Sequence, residues 1–298
     1  MASPVTIAYG EGRWPEIMDA LLCILAQARA PVSIDTIELG ESQYKMGNQE
    51  GISPLAWENL RRSRVLLRSP VAVPAIAEAQ HPDIAILGKM GVQASFVHLS
   101  FCFPSLPPLA LVYKAGEGEG AEFHAAFRYA QRHGLEKIAV LVQENDTKWL
   151  ESCEVIAASY SAITFEKVTQ CRPSAGHGII VIAREQYPQS VQEVIQESGG
   201  RVIESHCHSG ENFCLFETGE EASSASNERD ALVRLLHAFI HLLFWLGHNE
   251  AGAQLGNALA AAIEAPAFAT TTLPEAMEYI IMRLGQRPLL LASFIRLP

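Results

Sequence analysis

Residues 37–70 read IELGESQYKMGNQEGISPLAWENLRRSRVLLRSP. A strand that began at Ser33 (SIDTIEL, 33–39) ends inside this stretch. A loop holding Gly47 and Gly51 follows, and then a helix, SPLAWENLRRS, for which Ser53 supplies the N-cap hydroxyl. VLLR, residues 65–68, is a short apolar strand that stops before Pro70. Strand, helical connection and second strand form the unit from which parallel sheets are built.

The same unit recurs on both sides. VTIA (5–8) is a strand, YGEGRWP turns the chain, and EIMDALLCILAQARA (16–30) is a helix. Pro15 suits the first helical turn, and Glu16 suits the positive end of the helix dipole. Ile17, Leu21, Leu22, Ile24 and Leu25 recur at helical spacing. Downstream, strands at 109–113, 138–142, 178–183 and 213–217 alternate with helices at 119–134, 148–160 and 189–200. Gly134 closes the first of these helices. Three helices end the chain, at 230–248, 250–265 and 273–285, and the segment 220–230 between strand and helix is polar. The pattern predicts an α/β fold with a largely parallel mixed sheet and no internal repeat.

Of 298 residues, 49% are apolar and 18% charged, so the chain can bury a sizeable core. A net charge of -11 argues against nucleic acid or an anionic membrane as partner. Arg61, Arg62, Arg64 and Arg68 are the one basic cluster, and a solvated helix face accounts for it. Six scattered cysteines form no CxxC, and MASPVTIAYG lacks the features of a signal peptide; a reduced, cytoplasmic setting is expected. The most apolar run, 231–247, is short for a bilayer and carries Arg234, His237 and His241, so it reads as a core or interface helix.

Several stretches resemble the β-decarboxylating dehydrogenases, the isocitrate/isopropylmalate dehydrogenase family, and its bacterial isocitrate dehydrogenase branch in particular. They are YGEGRWPEIMDALLCILAQARAP, the 37–70 block, FRYAQRHGLEKIAVLV, GENFCLFE, LLHAFIHLLFWLGHNEAGAQLGNALAAAIE and AMEYIIMRLGQRP. The resemblance implies a two-lobed fold of that family. Residues 1–100 with 232–298 would form a discontinuous large lobe and 101–231 a small lobe, with the intersubunit arm deleted near 119–123. It also implies NAD(P)- and magnesium- or manganese-dependent oxidation and decarboxylation of a hydroxy-diacid.

The residues that would carry that chemistry are replaced. The family serine and asparagine after the Gly-rich loop become His81 and Asp83, and two substrate arginines become Leu87 and Val97. The third arginine falls on Tyr113, the catalytic tyrosine slot on Gly120 and the catalytic lysine slot on Gln143. The metal aspartates become Gln189 and Glu193, and the adenosine loop after Phe216-Glu217 reads TGEEASSASNERD. Valine cannot hold a carboxylate, and glutamine cannot take a proton at neutral pH. Neutral Gln189 is a poor ligand for a hard cation. The resemblance therefore implies a catalytically inactive homologue acting as a structural, regulatory or ligand-binding protein. It would need no cofactor and would form a homodimer or a hetero-oligomer with an active homologue. The alternative is an active enzyme with a rearranged site, using NAD(P) and Mg/Mn and recruiting Glu117, Lys114 or His98.

Other features have plainer readings. YGEGRWP is a tight strand-to-helix turn before it is a phosphate loop. His206, Cys207, His208 and Cys214 fit no standard zinc spacing. Cys102 and Cys153 read as buried fillers, and His237 and His241 as core or interface histidines.

Overall fold

The structure, a computed structural model, describes residues 2–71, 80–102, 106–143, 147–172, 177–199, 202–219, 227–287 and residue 289. Ten strands form one sheet in the order β2-β1-β3-β10-β9-β4-β5-β8-β6-β7. β1 (Ser3–Ala8), β2 (Val32–Ile37), β3 (Val65–Arg68) and β10 (Cys214–Glu217) run parallel at one end. β5 (Leu109–Lys114), β6 (Lys137–Leu141), β7 (Thr164–Val168) and β8 (Ile179–Val181) run parallel at the other. The two longest strands, β4 (Val92–Phe101) and β9 (Val202–Gly210), join these halves by antiparallel pairing. The sheet is thus mixed and largely parallel.

The helices form where local chemistry starts and stops them. α1 (Trp14–Gln27) carries Pro15 in its first turn. α2 (Glu41–Lys45) is a single short turn in the loop before α3 (Pro54–Ser63). The Ser53 hydroxyl accepts from the Ala56 amide at 3.1 Å, and α3 ends on Arg64 in the left-handed region. α4 (Pro82–Lys89) precedes β4, and α5 (Ala121–Arg132) follows β5 after the connection 115–120. α6 (Thr147–Ala157) and α7 (Tyr187–Glu197) cover the far half. α8 (Glu228–Trp245), α9 (Asn249–Ile263) and α10 (Leu273–Ile281) complete the chain. No helix among the described residues is long and apolar enough to cross a membrane; α8 is a core helix, with His237 and His241 buried in it.

Because side chains alternate across a strand, the sheet has two distinct faces. On the back, one continuous core joins Val65 and Leu67, Cys214 and Phe216, Cys207, Phe96 and Val112 to α1, α5, α8, α9 and α10. On the front, the core is split. Leu66, Leu215 and Val92 pack with α3 and α4 in one cluster; Val97, Leu111 and Ile180 pack with α7 in another. The gap between them is polar, and the candidate site fills it.

Candidate functional site

The seam is set by strand register. Arg68 and Glu217 are partners on the parallel pair β3 and β10, and Glu217 is opposite His206 on antiparallel β9. Alternation along β9 turns Glu204, His206 and His208 to the same front face. The buried Arg68 guanidinium binds Asp83 Oδ2 at 2.6 Å and also pairs with Glu217. Glu217 Oε1 lies 2.9 Å from His208 Nε2, and His208 Nδ1 lies 2.7 Å from the Ser95 hydroxyl. With Nε2 carrying the proton to Glu217, Nδ1 accepts from Ser95. Beside this chain, His206 Nε2 is 2.6 Å from Glu204 Oε1, which also accepts from the Tyr187 hydroxyl at 3.3 Å. Tyr187 in turn packs on Tyr113, with ring centroids 5.0 Å apart.

One guanidinium serves two carboxylates, and they share it unequally. Burial raises the Glu217 carboxyl, but Arg68 and His208 more than reverse this and hold it far below the usual range. Burial also raises Asp83, and there Arg68 does not make up the difference, because the Glu217 charge opposes it. At Glu204 burial is again the largest influence, and the His206 hydrogen bond outweighs it and lowers the carboxyl. The seam is therefore an interlocked network with more carboxylates than guanidinium groups, fixed across β3, β4, β9, β10, α4 and α7.

The positions carried over by resemblance are partly gathered here. Asp83 binds Arg68, and His81 caps the same helix, its Nδ1 accepting from the Asp83 amide at 3.2 Å. Tyr113 stands beside Tyr187 at the seam edge. Leu87 packs on the core below α4, and Val97 is wholly buried in β4. Gly120 starts α5 at φ 66°; a Cβ there would lie 2.5 Å from Ile156 Cδ1. Gln143 is exposed beyond β6. Gln189 and Glu193 lie on α7. His98 belongs to the back face, where it stacks on His241, so it is turned away from the seam. Glu117 is exposed in the connection to α5, and Lys114 lines a cavity of about 390 Å³ there with Lys148 and Arg184. Residues 220–226, most of the segment aligned with the adenosine loop, lie outside the described residues.

Gln189 and Glu193 do not fit a hard divalent cation. The Gln189 amide donates to Glu193 Oε1 at 2.9 Å, and Glu193 Oε2 accepts from the Cys171 amide at 3.4 Å. One carboxylate, both of whose oxygens are already bonded, is no oxygen cage. His206, His208 and Glu217 do bring one donor atom each within 4.8 Å of one another; His206 Nε2, both ring nitrogens of His208 and both Glu217 oxygens are engaged in contacts of the seam. Cys207 and Cys214 do not join them. Alternation sends both thiols to the back face, 3.3 Å apart. Cys153 is buried, and Cys102 is partly so.

The glycine turn folds against its own chain. A Cβ on Gly10, at φ +74°, would meet the Pro70 carbonyl oxygen at 2.7 Å and Ser69 Cβ at 2.8 Å. The open cavity of about 670 Å³ beside it is lined by Glu11, Glu38 and Glu41, with Lys45 as the one cation among its described lining residues. Such a surface repels phosphate, so the strand-to-helix turn is its role. Of the basic cluster, Arg61, Arg62 and Arg64 are exposed, but Arg68 is not on a solvated helix face: β3 ends on it and carries it into the seam.

Sequence reasoning passed over Arg68, Glu204 and Glu217 as functional residues. Their signal was alternation: polar at 204, 206 and 208, and polar at 68 and 217 after apolar 66 and 215.

No protein-family model matches the chain. It is 25% identical to the NADP isocitrate dehydrogenase of Rickettsia bellii over 98% of this chain and 72% of that one. The Rickettsia felis enzyme is 25% identical over 88% of this chain, which spans 63% of that enzyme's length. A mitochondrial protein of Dictyostelium discoideum, a regulatory subunit of NAD isocitrate dehydrogenase, is 22% identical over 87% of this chain and 83% of its own. Among solved structures, isocitrate dehydrogenase from Methylococcus capsulatus superposes with TM-score 0.76 at 18% identity, over 95% of this chain and 100% of that one. A β-decarboxylating dehydrogenase from Thermococcus kodakarensis gives 0.78 at 15% identity, over 95% and 96%. The low structural identities speak to the fold alone; the sequence matches along nearly the whole chain are to isocitrate dehydrogenases, and both comparisons point to the isocitrate/isopropylmalate-type decarboxylating dehydrogenases as what this chain resembles.

Proposed function

We propose that this protein is a divergent member of that family which does not carry out the oxidative decarboxylation and acts as a non-catalytic structural, regulatory or ligand-binding protein, as a homodimer or as the partner of an active homologue. The observation that carries the reading is the engagement of Arg68. The buried guanidinium of the seam is already bound by Asp83 and Glu217, and Glu204 adds a further carboxylate. An incoming polycarboxylate would meet acids there rather than cations, and desolvating it without compensation is strongly unfavourable. Leu87, Val97 and Gln143, at the family's arginine and lysine positions, supply neither a cation nor a base. The regulatory role named for the Dictyostelium relative agrees with a partner role.

The test is turnover of isocitrate and isopropylmalate with NAD or NADP and Mg²⁺ or Mn²⁺, with size-exclusion light scattering for assembly. Turnover below about 10⁻³ s⁻¹, against about 10 s⁻¹ for an ordinary enzyme, is expected. Turnover in the ordinary range sinks the reading. A second reading, a rearranged active dehydrogenase, draws on Lys114, Lys148 and Arg184 around the cavity near Gly120. It requires a rise in melting temperature with millimolar NAD or NADP.

A further inference from the structure

The back face of the sheet holds another cavity, of about 90 Å³, in a slot between α5 and α8. Its floor is Phe96 and Phe216, both buried in the core. Tyr129 of α5 and Phe244 of α8 line it from either side. His98 and His241 line it too, stacked at 3.8 Å between ring centroids. His237, one turn from His241, has both ring nitrogens bonded, to the Ser100 and Ser205 hydroxyls at 2.8 Å. His241 differs: its Nε2 is buried and has no hydrogen-bond partner. A buried polar nitrogen without a partner costs stability, so a group that comes to it gains a bond with little competition from water. Arg128 and Arg132, one helical turn apart on α5, also line the slot, as does one carboxylate, Glu211; all three are exposed, so the mouth keeps a net positive charge.

Each part selects a chemistry. Aromatic rings on the floor and sides favour a flat ring. Burial keeps His98 and His241 neutral, so the deep end takes a neutral hydrogen-bonding group rather than a charge. Two exposed guanidinium groups favour a carboxylate. We propose that the slot between α5 and α8 binds a small aromatic carboxylate. Its ring lies over Phe96 and Phe216, a polar ring atom or hydroxyl meets Nε2 of His241, and its carboxylate is held by Arg128 and Arg132. The site is on the opposite face of the sheet from the Arg68 seam, so it stands or falls separately from the loss of catalysis.

The experiment is calorimetric or NMR titration of the full chain with 4-hydroxybenzoate, and with benzoate, which lacks the deep polar group. Saturable binding of 4-hydroxybenzoate is expected, with benzoate about fivefold weaker, as one hydrogen bond implies. Arg128→Gln combined with Arg132→Gln touches only exposed side chains and should weaken binding about tenfold. Ala125→Phe, which fills the slot, should abolish binding, and His241→Phe should make the two ligands equal. No saturable binding up to about 10 mM overturns the proposal, since His241 would then be satisfied by water alone. Affinity unchanged in both the double arginine variant and Ala125→Phe overturns it as well, because binding would lie elsewhere.

Discussion

Arg68 and Glu217 are register partners on adjacent parallel strands, and their side chains form a buried ion pair on the front of the sheet. The pair sits between two apolar clusters, so its worth lies less in net stabilisation than in the cost of breaking it. Arg68→Met leaves Glu217 and Asp83 without their shared cation and should cost about 3–5 kcal/mol in urea unfolding at pH 7. Glu217→Gln leaves Arg68 with Asp83 and should cost about 1–3 kcal/mol. The double variant should cost less than the sum of the two by about 1–3 kcal/mol. Additive losses would mean the two residues are not coupled.

The back-face histidines make stability fall in mild acid. Burial lowers His98 and His241 well below 6.5 and His237 to about 3. The unfolded chain takes up protons at these residues from about pH 6.5 downward while the folded chain does not. Their contribution is therefore whole above pH 6.5 and is lost as the pH falls. The slope should approach about 1.4 kcal/mol per pH unit for each histidine. Glu217, also depressed in the folded state, adds its own loss only below its unfolded value of 4.5. Urea unfolding at pH 7.5 and 5.5 should show the fall, and His241→Phe should flatten it by about one histidine's share. An unchanged slope in that variant would assign the acid sensitivity to other groups.

The outer parts of the fold are legible in the chain because their physics is local. Ser53 caps α3, Pro15 opens α1, Gly134 takes the left-handed turn after α5, and the parallel strands are short apolar runs. The middle is not legible. VQASFVHLSF and VIESHCHSG are β4 and β9, yet neither is an apolar run. Both faces of each are covered, and several of their polar residues are satisfied by distant partners: Ser95 by His208, and Ser100 and Ser205 by His237. Alternation at 204, 206 and 208 hints at β9, but no local pattern encodes such pairings, so the partners in the seam and the slot show themselves only once the sheet is assembled.

Val97, which the resemblance sets at a substrate-arginine position, is wholly enclosed in the front cluster with Leu99 and Leu111. Val97→Arg should cost about 3–5 kcal/mol, since a guanidinium there loses its water and overpacks the cluster, even with Glu204 diagonal to it across the β4–β9 pair. Leu87→Arg is a different case, because Leu87 is only half-buried on α4 and a long side chain can reach solvent; about 1 kcal/mol is expected. Thermal unfolding of the two variants checks the contrast, and equal losses would mean that β4 yields more than its packing implies.

Gly120, which the resemblance sets at the tyrosine position, tests whether a side chain could stand there. Its φ of 66° lies in the left-handed region, and a Cβ would be 2.5 Å from Ile156 Cδ1 on α6. Gly120→Ala therefore carries the backbone cost and a displacement of Ile156, together about 1–3 kcal/mol. Gly120→Tyr should cost at least as much and should not raise turnover of isocitrate, because Gln143 still offers no base. Ile156→Ala in the Gly120→Ala background removes the clash but not the strain. It should recover part of the loss relative to Ile156→Ala alone, as unfolding free energies of the three variants would reveal. Full recovery would place the whole cost in the contact with α6, and none would place it in the backbone.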